Sequence, residues 1–458
     1  MLRRAVILAV LILTGGIAAA HAQTSEDDAA FQRRVIAIFQ SDPVARSEAL
    51  DWFAARGEPD IAPTLIVAHR FVFDAADEFD RVLQQVTGHQ ASGWFEWMLW
   101  QEANPDLKPH QGYDRLRRYL FSSIDPRFDV FFDGHKTHPG NMRIRLEEIV
   151  WGGVGALDGI PSLDFPEMIP AVGAAYLKDD DLVFGVSING DARAYPLRIM
   201  GWHEMFNDVI GGQPVALAYC TLCGSGILFE TSVEGQDKPF VFGSSGLLYR
   251  SNKLMYDQQT HSLWNQFTGE PVTGDLAFSG IRLKTLPVAI TTWADWVAAN
   301  PETTVLSLNT GFRRDYGSGV VYRDYFSSPD LMFPTRVKAD AAPKSYVYGI
   351  REAGVARAWP LSAFEGGKLI HDRIGQTPII LIGDSATRTV RAYESGGMPF
   401  ELTANGLSAD GVAWVIHEDQ LSGPDGSTLR RLPGHVAYRF AWDGYLGGVG
   451  TVYPDPAN

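Results

Sequence analysis

Residues 182–197, LVFGVSINGDARAYPL, determine the fold of this chain. Apolar residues alternate with small or polar ones on both sides of Asn189-Gly190, a pair that readily adopts the positive φ angles of a tight hairpin turn. The stretch therefore predicts two antiparallel strands. Residues 346–361, YVYGIREAGVARAWPL, repeat its pattern, and the similarity extends without a gap from 183–230 onto 347–394.

This internal similarity predicts the architecture. The shared residues are hairpin glycines, strand apolars and a proline, which are the residues that a common backbone needs. We predict an α+β fold: an N-terminal helical region followed by a mainly β domain built from two tandem pseudo-repeats. The helical region is predicted at 23–125, where apolar residues recur at helical spacing. The other predicted segments are a wrapping linker at 126–180, copy one at 181–330 and copy two at 331–458.

The N-terminus has the pattern of a cleaved signal peptide. Arg3 and Arg4 precede a short apolar run, and Ala20-His21-Ala22 is a typical cleavage site, so residues 1–22 are predicted to be removed. No later stretch is long and apolar enough for a membrane span, which predicts a mature chain without one. The expected location is periplasmic or secreted.

Charge narrows the classes of partner. The formal net charge is −15 and no basic run occurs, so nucleic acid is not an expected partner. A small molecule or a protein remains as the expected partner, with neither identified. The sequence also has no phosphate-binding loop, no G-x-S-x-G nucleophile motif and no H-E-x-x-H zinc motif.

Cysteine occurs only at Cys220 and Cys223, within Tyr-Cys-Thr-Leu-Cys-Gly-Ser. This spacing allows both sulfurs to bind one metal ion or to form a disulfide. A turn into a strand, rather than a helix, follows Cys223. This pattern is typical of a metal knuckle, a tight turn between two strands whose two cysteines bind one metal ion. Copy two has Asp384 and Thr387 at these positions, so the site is expected in copy one alone, and copy two is expected to be poor in ligands.

A knuckle supplies two ligands, and a closed tetrahedral site needs four. His203 is the preferred third ligand, because Gly367 replaces it in copy two and it lies one strand before the knuckle. Met255 and His261 are further candidates, since thioether and imidazole suit copper. We therefore predict one Cu or Zn ion held by Cys220, Cys223 and His203, with Met255 or His261 nearby.

Four motifs together resemble those of the bacterial DUF3179 family. They are Asn189–Leu197 (NGDARAYPL), Trp202–Asp208 (WHEMFND), Tyr219–Ser225 (YCTLCGS) and Leu254–Asp257 (LMYD). The resemblance extends from about residue 145 to the C-terminus. It implies family membership and an exported location, and it implies no reaction and no catalytic residues.

Two alternatives to the metal site stay open at this point. Cys220 and Cys223 can form the cycling pair of a metal-free thiol–disulfide oxidoreductase, because an exported protein meets oxidising surroundings. They can also form a stable disulfide in a structural or adaptor protein. The metal content of protein made in the periplasm distinguishes the metal site from the oxidoreductase and the stable disulfide.

Overall fold

The computed structural model describes residues 28–336, 341–352, 354–446 and 450–454. The predicted signal peptide lies outside these described residues. The chain divides into two compact units, Met1–Arg117 and Arg118–Asn458. No helix in the described ranges has the length and apolar character that crossing a membrane requires.

The first unit is helical, which confirms the predicted helical N-terminal region. Helix α2 shows how local sequence defines its ends: the Asp42 carboxylate accepts hydrogen bonds from the Val44 and Ala45 backbone N–H groups, and Gly57 ends the helix with φ 72°. The helices are α1 (28–39), α2 (Pro43–Arg56), α3 (Ala62–Ala68), α4 (Ala76–Thr87) and α5 (Gly93–Ala103); α6 (Tyr113–Ile124) crosses the boundary between the units.

The second unit is mainly β, as predicted. Its first sheet contains the hairpin around Asn189 and Gly190, whose φ angles are 50° and 83°. The strands of this sheet, in spatial order, are β14 (Ala289–Thr292), β4 (Leu182–Ile188), β5 (Asp191–Pro196), β15 (Thr304–Leu306) and β3 (Met168–Pro170). The predicted hairpin is therefore confirmed, with Ile188 opposite Asp191.

Two further sheets carry the candidate site. The second sheet contains β13 (Thr285–Leu286), β8 (Ser225–Glu230), β7 (Gln213–Cys220), β6 (Met205–Ile210) and β2 (Leu163–Asp164). The third contains β1 (Ile149–Trp151), β9 (Phe242–Tyr249), β10 (Asn252–Asp257), β11 (Leu263–Asn265) and β12 (Glu270–Pro271). Residues 126–180, predicted as a wrapping linker, contribute β1, β2 and β3 to the edges of three sheets.

The rest of the chain forms two more sheets. The fourth contains β26 (Gly434–Tyr438), β16 (Tyr346–Glu352), β17 (Val355–Pro360) and β27 (Gly450–Val452). The fifth contains β18 (Lys368–Ile374), β19 (Thr377–Asp384), β20 (Thr389–Glu394), β25 (Thr428–Leu432), β24 (Gln420–Ser422), β23 (Val412–Ile416), β22 (Gly406–Ala409) and β21 (Phe400–Thr403). Short helices of this unit are α7 (Asp129–Phe132), α8 (Leu197–His203), α9 (Trp293–Ala299), α10 (Arg323–Ser327) and α11 (Arg439–Leu446).

Four neighbouring strands of the first sheet are arranged as the four strands of the fourth sheet are. In each, a hairpin is flanked by an antiparallel strand (β14 or β26) and a parallel one (β15 or β27). A tryptophan covers a hairpin glycine in both: a Cβ on Gly185 would lie 2.3 Å from Trp296, and one on Gly349 would lie 2.0 Å from Trp442. This agreement favours the two pseudo-repeats, which stay a prediction.

The two halves of the β unit share their apolar cores. One buried cluster contains Phe184 and Tyr195 together with Tyr348 and Trp359. A second contains both cysteines together with residues of the chain beyond 331, including Tyr438. The CxxC turn therefore lies inside a core to which both halves contribute.

Candidate functional site

The CxxC turn connects β7 to β8. Thr221–Cys223 forms one 3-10 turn, and Gly224 follows in the left-handed conformation with φ 59°. A Cβ at Gly224 would lie 3.1 Å from Tyr346 and 3.2 Å from Tyr438, so both rings pack directly on the turn. Glycine suits this position because it adopts the positive φ angle readily and has no Cβ to collide with the two rings.

The two cysteines form a disulfide with each other. Cys220 is 3% exposed and Cys223 is fully buried. The Cys223 sulfur lies 3.1 Å from the Ser251 carbonyl oxygen. That oxygen can accept a hydrogen bond from a Cys223 thiol when the pair is reduced, so the dithiol form also has a polar partner inside the core.

His203 ends α8 and is fully buried. Its Nδ1 lies 2.9 Å from the Pro161 carbonyl oxygen, to which it donates, and its Nε2 lies 2.6 Å from the Tyr316 hydroxyl. Burial lowers the pKa of this imidazole, while the Pro161 contact acts in the opposite direction. Both ring nitrogens of a neutral His203 therefore have protein partners already.

Met255 and His261 occupy different surroundings. Met255 is fully buried and belongs to the same apolar cluster as Cys220 and Cys223. His261 follows β10 with φ 54°, and its half-buried ring stacks on Tyr256 at 5.9 Å between centroids. Three soft sulfur atoms thus share one core.

Within the described ranges, no group of three or more His, Cys, Asp or Glu side chains is placed to hold a metal ion. The structure gathers Cys220, Cys223 and Met255 into one cluster, and it gives His203 and His261 other contacts. The Cu or Zn site predicted from the sequence stays a prediction.

A buried ion pair lies beside the turn. Glu204 has φ 57°, and its Oε2 and its backbone oxygen each lie 3.2 Å from the Lys253 ammonium nitrogen. Burial lowers the pKa of Lys253, and the Glu204 charge opposes this shift. The Glu204 carbonyl also accepts a hydrogen bond from the Tyr219 N–H at 2.7 Å, which ties this pair to the residue before Cys220.

Two polar side chains near the turn lack protein partners among the described residues. Both amide atoms of Asn252 and the hydroxyl of Thr221 are buried without a hydrogen bond. Thr221 lies between the cysteines, and Asn252 follows Ser251, whose carbonyl faces the Cys223 sulfur. A buried polar group without a partner costs about 1–3 kcal/mol, so each of these groups needs an explanation, such as a bound water, an ion or a functional role.

Sequence reasoning missed the Lys253 ammonium as a site group, and it noted Glu204 only as a residue absent from copy two. The available signal was a lysine directly before the apolar run Leu254-Met255-Tyr256 in β10, a strand that is buried along its whole length. A charged side chain at such a position needs a buried partner.

The comparisons with known proteins give one match. The model of a family described as "Protein of unknown function (DUF3179)" matches residues 157–448, more than half of the chain. Neither the curated proteins nor the solved structures gave a significant match. The matched range includes the CxxC turn, the Glu204–Lys253 pair and His203.

Proposed function

The chain belongs to the DUF3179 family, and we propose that Cys220 and Cys223 form a reversible dithiol–disulfide pair in an exported protein of this family. In the proposed reaction, two thiols of a reducing partner give up two electrons and two protons. The partner becomes a disulfide, and Cys220 and Cys223 become two thiols. The closed disulfide between them is the observation that carries this proposal.

A stabilising role accounts poorly for this bond. The cysteines are separated by 3 positions, and closing so short a loop contributes only about 2 kcal/mol through the entropy of the unfolded chain. The chain beyond 331 contains a comparable turn. Asp384 lies opposite Thr389 where the antiparallel strands β19 and β20 meet, just as Cys220 lies opposite Ser225 where β7 and β8 meet. That second turn forms without a disulfide.

The proposal gives the two sulfurs different roles. Cys220 is the less buried of the two cysteines, at 3% exposed, so we propose that the incoming thiolate attacks the Cys220 sulfur. The bond to Cys223 then breaks, and the Cys223 sulfur takes up a proton. The Ser251 carbonyl oxygen, 3.1 Å away, can accept a hydrogen bond from this thiol.

A redox titration of the folded protein tests the proposal. The full chain, exported and purified without reductant, is equilibrated with mixtures of reduced and oxidised dithiothreitol, quenched with acid, and then treated with iodoacetamide in denaturant, because both cysteines are buried in the folded protein. We expect a single two-electron transition between no adducts and two adducts, while the near-ultraviolet circular dichroism stays that of the folded protein. The variant Cys220→Ser is the control and should show no such transition.

Two results contradict the proposal. One is a disulfide that is reduced only after the protein unfolds, which indicates a structural bond. The other is a pair of thiols that stays reduced in air while a metal ion remains bound.

A Cu(I) site is the second candidate, and the placement of Met255 favours it. Met255 shares a buried cluster with both cysteines, and Cu(I) prefers thiolate and thioether ligands. Competition of the reduced protein against a chromogenic Cu(I) chelator tests this candidate, with Zn(II) tested in parallel. Met255→Leu keeps the volume and removes the sulfur, so it should weaken Cu(I) binding and leave native reduction of the disulfide unchanged.

A further inference from the structure

A cavity of about 600 Å³ lies next to the CxxC turn. Tyr219, the residue before Cys220, forms part of its wall, together with Tyr346 and Tyr438, which pack on Gly224. Cavities of this volume are typical of sites for small organic molecules. The proposed thiol–disulfide role makes no use of it.

The cavity contains two cationic side chains without a carboxylate partner among the described residues. The Arg388 guanidinium lies 4.4 Å from the centre of the Tyr346 ring, and no described side chain or backbone group forms a hydrogen bond or ion pair with it. The Lys344 ammonium donates to the carbonyl oxygens of Tyr325 and Ser328, both at 2.7 Å, and lies 3.4 Å from the centre of the Tyr325 ring, so neutral groups are its close partners.

The acidic groups of the wall do not cancel these charges. The Asp181 carboxylate is paired with the Arg198 guanidinium, also in the wall. Asp180 is exposed and therefore solvated. Burial lowers the pKa of Lys344; the exposed Asp330 carboxylate, outside the wall, acts in the opposite direction but forms no ion pair with it among the described residues. Lys344 and Arg388 thus provide positive charge that no carboxylate of the wall pairs with.

The rest of the wall is suited to an apolar molecule. Tyr346 and Tyr438 stack at 4.6 Å between ring centres, and their hydroxyl groups lie 3.1 Å apart. Burial raises the pKa of Tyr219 and of Tyr438, so both phenols keep their protons and can donate. The wall also contains the apolar side chains of Leu182, Leu197, Val321 and Phe326. It further contains three serines, Ser318, Ser327 and Ser328.

We propose that this cavity binds a small organic carboxylate with an apolar body, whose carboxylate pairs with Arg388 and Lys344. The planar guanidinium matches the two oxygens of a carboxylate. The apolar body lies against the tyrosine rings and aliphatic side chains. This site goes beyond the proposed function of the cysteine pair, and its ligand does not take part in thiol exchange.

Calorimetric titration of the full chain with benzoate, in non-reducing buffer, tests the site. We expect benzoate to bind, and benzamide, its neutral analogue of the same shape, to bind at least about tenfold more weakly, because a charged hydrogen bond is lost. Arg388→Gln and Lys344→Gln should each weaken benzoate binding by about tenfold or more. The matched control, Arg373→Gln, removes an exposed arginine outside the cavity wall and should bind as the wild type does.

Three results would overturn the proposal: no benzoate binding, equal binding of benzoate and benzamide, or wild-type affinity in a folded Arg388→Gln variant. Lys344→Gln distinguishes this cavity from a second one of about 1030 Å³, which Arg388 also borders and Lys344 does not. Loss of affinity in the arginine variant alone would place the ligand in that second cavity. The titration uses the disulfide form of the protein throughout. Its result therefore does not depend on whether Cys220 and Cys223 exchange with thiols, and the two proposals are tested separately.

Discussion

Reduction of the Cys220–Cys223 disulfide under native conditions should lower the stability of this protein only slightly. The bond closes a loop between positions separated by 3, so its loss costs about 2 kcal/mol in the chain-entropy account. The unit that contains it, Arg118–Asn458, gains about 0.7 kcal/mol per kelvin of entropy on unfolding. The expected fall in Tm of this unit is therefore about 3 °C.

Scanning calorimetry of the oxidised protein and of protein kept in excess dithiothreitol measures this shift. The double variant Cys220→Ala, Cys223→Ala is the matched control, because its Tm should not respond to reductant. A fall of more than about 10 °C on reduction would show that the disulfide is a structural element. It would refute the reasoning that so short a ring is dispensable for the fold.

Three further predictions concern buried groups, each measured by urea unfolding. Lys253→Met should lower the unfolding free energy by about 3–5 kcal/mol, because it leaves the Glu204 carboxylate buried without its cation. Adding Glu204→Gln to this variant should recover much of the lost stability. Equal stability of the single and the double variant would contradict this. Burial lowers the pKa of His435 to about 3, so this imidazole stays neutral in the folded state and takes up a proton in the unfolded state below about pH 6.5. The unfolding free energy should therefore fall as the pH drops from 6.5 towards 3, by up to about 1.4 kcal/mol per pH unit from this group, and a His435→Leu variant with the same pH slope as the wild type would refute this. Gly185→Ala should cost about 1–3 kcal/mol because its Cβ would lie 2.3 Å from Trp296, and an unchanged urea midpoint would argue against this packing.

Local features of the fold could be predicted from the sequence because short-range rules govern them. The Asn189-Gly190 hairpin follows from the positive φ angles that the turn needs, and both angles are positive in the structure. The helical N-terminal region followed from apolar spacing. These elements depend on residues close to each other in the chain.

The environment of the site could not be predicted in the same way. His203 receives its partners from Pro161 and Tyr316, which lie far from it in the chain. Arg388 lines the cavity only because the sheets bring Tyr219 and Tyr346 to the same place. Such contacts follow from the packing of distant segments, which no local pattern in the sequence encodes.

The redox and metal states of the protein, measured together, test the central claim most directly. Protein isolated from the periplasm without reductant is unfolded in the presence of iodoacetamide and weighed by mass spectrometry, and the metal content is determined on a folded portion of the same sample. We predict no adduct in protein that has not been reduced, two adducts in protein that was reduced while folded, and no stoichiometric Cu or Zn in the oxidised protein. Two adducts without any reductant, together with one equivalent of Cu or Zn, would contradict the account and support the metal site.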